Sequence, residues 1–322
     1  MIGYVIRRLV YSVPVVLVAS FVLFCAVRAA FDPLAKLRQS RDPGLVARET
    51  ERLGLDRPIP EQYGLWLKEF VTGNWGVSTR TSGDVGPMII DAVWPTVQLI
   101  AWALLFGIVI AGSIAVFSAV HRYSWGDHLL TGLSYVGVAM PAFWFGLILI
   151  QLLAVGPLQY LDTDEPLLYF IGLHSPGQSG FNLDYLRHLV LPVLTLTIAL
   201  VASWSRYGRA AMLDSLSSDY IRTARAKGVH RRRIIWNHAA RNALAPFVTV
   251  VALDAALLFG GLVVTEQIFS IPGMGRLFLD SLQAGDVYVL IPWMMIVAVA
   301  VVACNLIADL SYAILDPRVR LR

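Results

Sequence analysis

Three polar side chains fall inside long apolar runs: Asp254, Asn305 and Asp309. An acid in that setting can relay a proton or line the path of a polar solute, because leaving it unpaired in hydrocarbon costs about 2.5–3.5 kcal/mol. Asn305 and Asp309 stand one helical turn apart, so they could answer Asp254 or form a polar stripe. A plain interhelical hydrogen bond is the competing use of all three. Hydrolytic and transfer chemistry lacks its usual constellations. The chain has no G-x-x-x-x-G-K-[ST] phosphate loop, no H-E-x-x-H helix, no G-x-S-x-G elbow and no C-x-x-C pair. His121, His128, His174, His188, His230 and His238 lie near predicted span ends or in loops, where a surface role outweighs ligation, so no metal site is assigned. Cys25 and Cys304 sit in apolar runs and read as small packing residues.

The elements that must position these groups are set by composition. Of 322 residues, 57% are hydrophobic and only 15% charged, and mean hydropathy is +0.65. Soluble domains carry about a quarter charged residues, so most of this chain must avoid water: it reads as an all-α, polytopic membrane protein. Its net charge of +4 is modest, and no nucleic-acid partner is expected.

A hydrocarbon core about 30 Å thick needs about 20 apolar residues. Six stretches qualify, near 9–28, 97–120, 132–156, 187–205, 245–264 and 288–313. The first follows Arg7 and Arg8, but its apolar run is too long for a signal peptide and lacks a clean cleavage site, so an uncleaved anchor over 1–28 is expected. The interval 29–96 then forms an external region. Its Trp66, Phe70, Trp75 and Trp94 point to a partly folded cap, and 97–322 forms the five-span core. Ala111, Ala115 and Ala119, and likewise Ala252, Ala256 and Gly260, recur every fourth or so position and predict close helix packing. Pro141 and Pro192 fall within spans and predict kinks.

Charge asymmetry orients the spans. Arg7, Arg8 and Arg122, then Arg206, Arg209, Arg222, Arg225, Lys227, Arg231, Arg232, Arg233 and Arg241, and finally Arg318, Arg320 and Arg322, alternate with the acids Asp162, Asp164, Glu165, Glu266, Asp280 and Asp286. The basic loops face the cytoplasm by the positive-inside rule, which places both termini there. Within the basic interval 206–243, Ser218 or Asp219 can cap a helix and Arg225 and Lys227 suit its C-terminal end. Gly228 supplies a left-handed C′ residue. The helix comprises Asp219, Tyr220, Ile221, Arg222, Thr223, Ala224, Arg225, Ala226 and Lys227. At about nine residues it needs a docking surface, and composition alone leaves lipid and protein as equal choices. A second helix from about Arg231 to Ala243 leads into the fifth span.

Several ordered motifs carry a resemblance. They are YVIRRLVYSVPVVLVASFVLF near the start, LGLDRPIPEQY and GNWGVS in the first external region, and PTVQL at Pro95–Leu99. MPAFWFG, HLVLPVLTL, YIRTARAKG, RNALAP and EQIFSIPGMGRL follow. Together they resemble the membrane permeases of bacterial ATP-binding-cassette importers, in the first-permease branch of the dipeptide, oligopeptide and nickel systems. The resemblance implies a six-helix permease subunit of the bacterial cytoplasmic membrane that imports peptide, with nickel or haem as other cargoes of the same family. It implies no cofactor in this chain, since ATP and magnesium belong to two cytoplasmic ATPases. A second permease and an extracytoplasmic binding lipoprotein complete the assembly. It also implies that 219–228 is the coupling helix, which favours protein over lipid as its docking partner. The general family pattern there is E-A-A-x-x-x-G, and only Ala224 and Gly228 match it; Arg222 and Thr223 replace the Glu and the first Ala. Glu266, Phe269, Pro272, Gly273 and Gly275 are implied to face the receptor at the outer gate. From the residues alone, Pro272, Gly273 and Gly275 fit a re-entrant turn or a plain hairpin. Around 157–187 the chain departs from the family, which bears on receptor docking. The rival class is an ion-coupled secondary transporter, which would depend on Asp254.

Overall fold

The computed structural model describes residues 2–34, 38, 43–161 and 165–315. Asp162, Asp164, Arg318, Arg320 and Arg322, named above for topology, lie outside the described residues. The fold is helical throughout, and the only strand-like pairing among the described residues is a single bridge between Val77 and Asp84.

Six helical stretches are long and apolar enough to cross a membrane. They are α1 (Ile2–Ala30), α4 (Val85–Val120), the run over 142–160, α8 (Leu183–Ser217), the run over 231–260, and α14 (Val287–Leu315). Short helices fill in between. They are α2 (Pro43–Leu53) and α3 (Ile59–Val71) after α1, and α5 (Trp125–Ala139) before the third span. That span comprises α6 (Ala142–Ile150), a π-helical turn at Gln151–Val155 and α7 (Gly156–Leu161). Next come α9 (Asp219–Ala226) and α10 (Arg231–Arg233), which runs through a π-helical stretch Ile234–Ala240 into α11 (Arg241–Gly261). Last are α12 (Val263–Ile268) and α13 (Met274–Ala284).

The core sits where α4 and α8 lie side by side. Small residues let their backbones approach: a Cβ on Gly208 would stand 2.8 Å from that of Ala115, and one on Gly107 would stand 2.9 Å from the Trp204 ring. Ala111, Ala115 and Ala119, the stripe expected from sequence, are all buried. On α11, by contrast, Ala256 is buried but Gly260 stays exposed.

Span boundaries differ from expectation for physical reasons. The second helix begins at Val85, not near 97, because Val85, Ile89 and Ala92 are buried against Met274, Val289 and Trp293. Protein rather than lipid solvates that end, and hydropathy reports only the lipid-facing part. Pro141 breaks the third span outright instead of kinking it: Met140 and Pro141 are both extended, closing α5 and opening α6. Pro192 stays within an uninterrupted α8.

Among the described residues between the first two spans, the aromatics pack together, as a partly folded cap would require. A ladder of rings runs from Phe24 on α1 through Tyr63, Trp66 and Phe70 to Trp75, the last pair stacked at 5.0 Å and 9°. Trp94 stands apart, exposed on α4.

Candidate functional site

Two regions at opposite ends of the bundle carry the residues singled out above. The basic end is built on α8. Its last turn closes at Ser218, which also opens α9. Ser218 occupies the N-cap position, yet its hydroxyl donates backwards to the Ser215 carbonyl at 2.5 Å and caps nothing in α9. The C-terminus of α9 matches the expectation from sequence. Gly228 adopts φ +73°, its N–H donates to the Arg225 carbonyl at 3.0 Å, and the Val229 N–H donates to Ala224 at 3.1 Å. That is the Schellman arrangement, and Val229 and Ala224 both pack on one apolar cluster.

A helix of eight residues cannot hold itself. Ile221 supplies the anchor: it is fully buried, in one cluster with Ala119 of α4, Met212 of α8, and Ile234, Ala239 and Ala243 of the helix leading into the fifth span. Ala224 packs on the same cluster. Asp219, Tyr220, Arg222, Thr223, Arg225, Ala226, Lys227 and Gly228 stay exposed, leaving a polar, cationic face outward. Arg222 lies 3.6 Å from Asp219 in open solvent. The second helix is not separate, since 231–261 runs on into the membrane.

Above this corner α5 is locked to α8 by a pair that sequence reasoning missed. Arg209 grips Asp127 with two bonds of 2.8 Å, and the Tyr123 N–H donates to the same carboxylate at 2.9 Å. The Arg209 hydrogen bonds hold the Asp127 carboxyl down to about 2, against the opposing effect of its burial. The available signal was the S-x-x-D spacing of Ser124 and Asp127, a capping pattern realised by the Asp127 N–H donating to the Ser124 hydroxyl at 3.2 Å.

Along the spans, Asp254 accepts a 2.6 Å hydrogen bond from the buried Trp204 indole. That is the interhelical bond considered above. Asn305 and Asp309 do not answer it. Asp309 pairs with Arg8 at 3.0 Å, joining α14 to α1, and Asn305 is exposed.

At the opposite end, α12, a tight turn and α13 form a helical re-entry between the last two spans. Glu266 and Phe269, expected to face outward, are both fully buried. Glu266 instead staples the turn: Thr96 of α4 donates to it at 2.6 Å and the Arg276 N–H at 3.0 Å. The Thr96 hydroxyl in turn accepts the Met274 N–H at 2.8 Å. Burial pushes the Glu266 carboxyl up, opposed by these donors. A Cβ on Gly273 would come within 2.3 Å of the Glu266 carboxylate, and one on Gly275 within 2.5 Å of the Val263 backbone. Both glycines are therefore required by close approach within the turn. Of the five residues assigned to this gate, only Pro272 is exposed. Phe269 and Thr195 of α8 both lie against Gly146 of α6, and the Phe269 carbonyl accepts the Gly172 N–H at 2.7 Å. His188, expected at the surface, is buried and stacked on Tyr169 at 4.6 Å. The divergent segment around 157–187 thus packs onto the turn. With α4 it lines an open cavity of about 1040 Å³ whose walls include Asp91, Trp94, Trp102, Phe181, Tyr185 and Arg276. No group of three or more metal-ligating side chains occurs among the described residues.

Comparison with known proteins agrees across the chain. Residues 103–321 match the family described as binding-protein-dependent transport system inner membrane component, and residues 1–85 match its N-terminal companion. An oligopeptide transport system permease protein, AppB, of Bacillus subtilis is 39% identical, with 99% of each chain covered. Dipeptide transport system permease proteins DppB of Alkalihalophilus pseudofirmus and Escherichia coli are 35% and 34% identical, with 99% of this chain and at least 99% of theirs covered. Among solved structures, the inward-facing MetNI methionine ABC transporter aligns at a TM-score of 0.55 and 16% identity, covering 71% of this chain and 96% of that one. At that identity the likeness is one of fold.

Proposed function

The chain belongs to the family of binding-protein-dependent transport system inner membrane components, and from that membership we propose that it is one of a pair of permeases through which an ATP-driven importer takes up dipeptides or oligopeptides. It is a multi-pass inner-membrane subunit of a transport system, not an enzyme. An ATPase and a substrate-binding protein are the partners its family implies. In the proposed assembly, two cytoplasmic ATPases hold the ATP and magnesium, a homologous second permease completes the path, and an extracytoplasmic lipoprotein delivers peptide. The basic corner and both termini face the cytoplasm, supported by the excess of Lys and Arg there.

The observation that carries this reading is the anchoring of α9. Its outward face is polar and free to dock, while Ile221 ties it to the ends of α4, α8 and the fifth span. When two ATPases close on ATP, a push on α9 moves these ends together. α8 spans roughly 50 Å at 1.5 Å per residue and carries the shift past Trp204–Asp254 to Thr195, Phe269 and the Thr96–Glu266 staple. Packed contacts of this kind repack between discrete arrangements, which is what a gate requires. At the other end the large cavity offers Asp91 and Arg276 among aromatic walls. An acid and a base lining one largely apolar cavity suit the two charged ends of a short peptide. Reconstituting the chain with its second permease, ATPases and receptor in vesicles tests the reading. Peptide-loaded receptor should stimulate ATP hydrolysis and uptake without an ion gradient; stimulation by nickel or haem alone, or uptake abolished by an uncoupler, would refute it.

A further inference from the structure

Beside α9 a second cavity, of about 550 Å³, opens between the ends of α4 and α8 and the start of α10. Its floor is apolar, with Ala119 and Ile234 buried and Leu216 partly so. Its rim carries three guanidinium groups, Arg122, Arg225 and Arg231, and no acid is among its described lining residues. Arg122 donates to the Tyr123 hydroxyl and lies over that ring at 4.4 Å, a neutral partner that leaves its charge unbalanced. Arg222, on the same short helix as Arg225, points instead toward Asp219. Depth is given by three exposed aromatics at this end of the bundle: Tyr123, Trp125 and Trp236. Amphipathic rings of this kind mark the headgroup layer of a bilayer. A site at that level, apolar below and tricationic above, complements a molecule with a phosphate head and hydrocarbon tails. An acidic protein segment would use the cations but not the apolar floor, which continues from the membrane helices.

We propose that this cavity binds the phosphodiester headgroup of an anionic membrane lipid through Arg122, Arg225 and Arg231, so that a lipid braces α9 at Arg225 while Arg222 and Lys227 remain free for a protein. Arginine forks suit phosphate oxygens, and each cation near a membrane surface strengthens anionic lipid binding about fivefold. The site is independent of what the transporter carries.

Native mass spectrometry of the delipidated full-length protein, titrated with phosphatidylglycerol or phosphatidylethanolamine, reads this directly. Phosphatidylglycerol should bind preferentially, each of Arg122→Gln, Arg225→Gln and Arg231→Gln should weaken it about fivefold, and Arg222→Gln should leave it unchanged. Inorganic phosphate should not displace the lipid. Equal retention of both lipids overturns the proposal using the unmodified protein alone, even if a variant fails to fold. An equal loss in Arg222→Gln, or occupation by inorganic phosphate with lipid excluded, overturns it as well.

Discussion

At the scale of single residues, Asp254 and Asp309 each tie two helices together. Asp254 accepts from Trp204 and needs only an oxygen to do so. Asp254→Asn should therefore keep uptake within about threefold, whereas Asp254→Leu strands a buried indole N–H at about 1–3 kcal/mol, visible as a lower melting temperature. An ion-coupled carrier would instead lose transport in both. Gly273 is argued from its 2.3 Å approach to the Glu266 carboxylate. Gly273→Ala should break the Thr96–Glu266 bond and destabilise by about 1–3 kcal/mol, measured by thermal unfolding in detergent. Neither the staple nor the Asp127–Arg209 pair was legible in the sequence, because each joins residues far apart in the chain and no local pattern pairs them. The glycines were visible as turn formers, but the buried carboxylate they make room for was not.

At the scale of elements, the short helix α9 was readable from its signals: an Asp near its start, cations near its end and Gly228 beyond it. What sequence could not give was its anchor, since Ile221 is one aliphatic residue among many until the fold seats it in a cluster. Gly228→Pro cannot take the observed φ of +73°, so ATP-coupled uptake should be lost while the subunit still inserts and assembles, checked by co-purification of its partners. The α5–α8 lock makes a pH prediction. Because the Asp127 carboxyl is held down to about 2, its contribution is complete above the ordinary carboxylate range, near 4, and disappears as pH falls through 2. Asp127→Asn should remove that acid-range dependence and cost about 3 kcal/mol at neutral pH by leaving Arg209 unpaired in a largely buried site, read by unfolding in detergent at both pH values.

At the scale of the whole molecule, six spans emerge from hydropathy because lipid-facing surface must be apolar whatever the packing. The same logic explains the misplaced boundaries, since the start of α4 is covered by α13 and α14 and the third span is divided at Pro141. The molecule joins a cationic corner to the re-entrant turn at the opposite end through one long helix, and the central claim is that motion travels along it. The direct test places a single cysteine at Arg222, with Cys25 and Cys304 replaced by alanine, in the assembled importer. Crosslinking from that position to the ATP-hydrolysing subunit should occur from the cytoplasmic side and change in yield when ATP is bound. Labelling of the same cysteine from outside the cell, or no crosslink to an ATPase in either nucleotide state, would contradict the account.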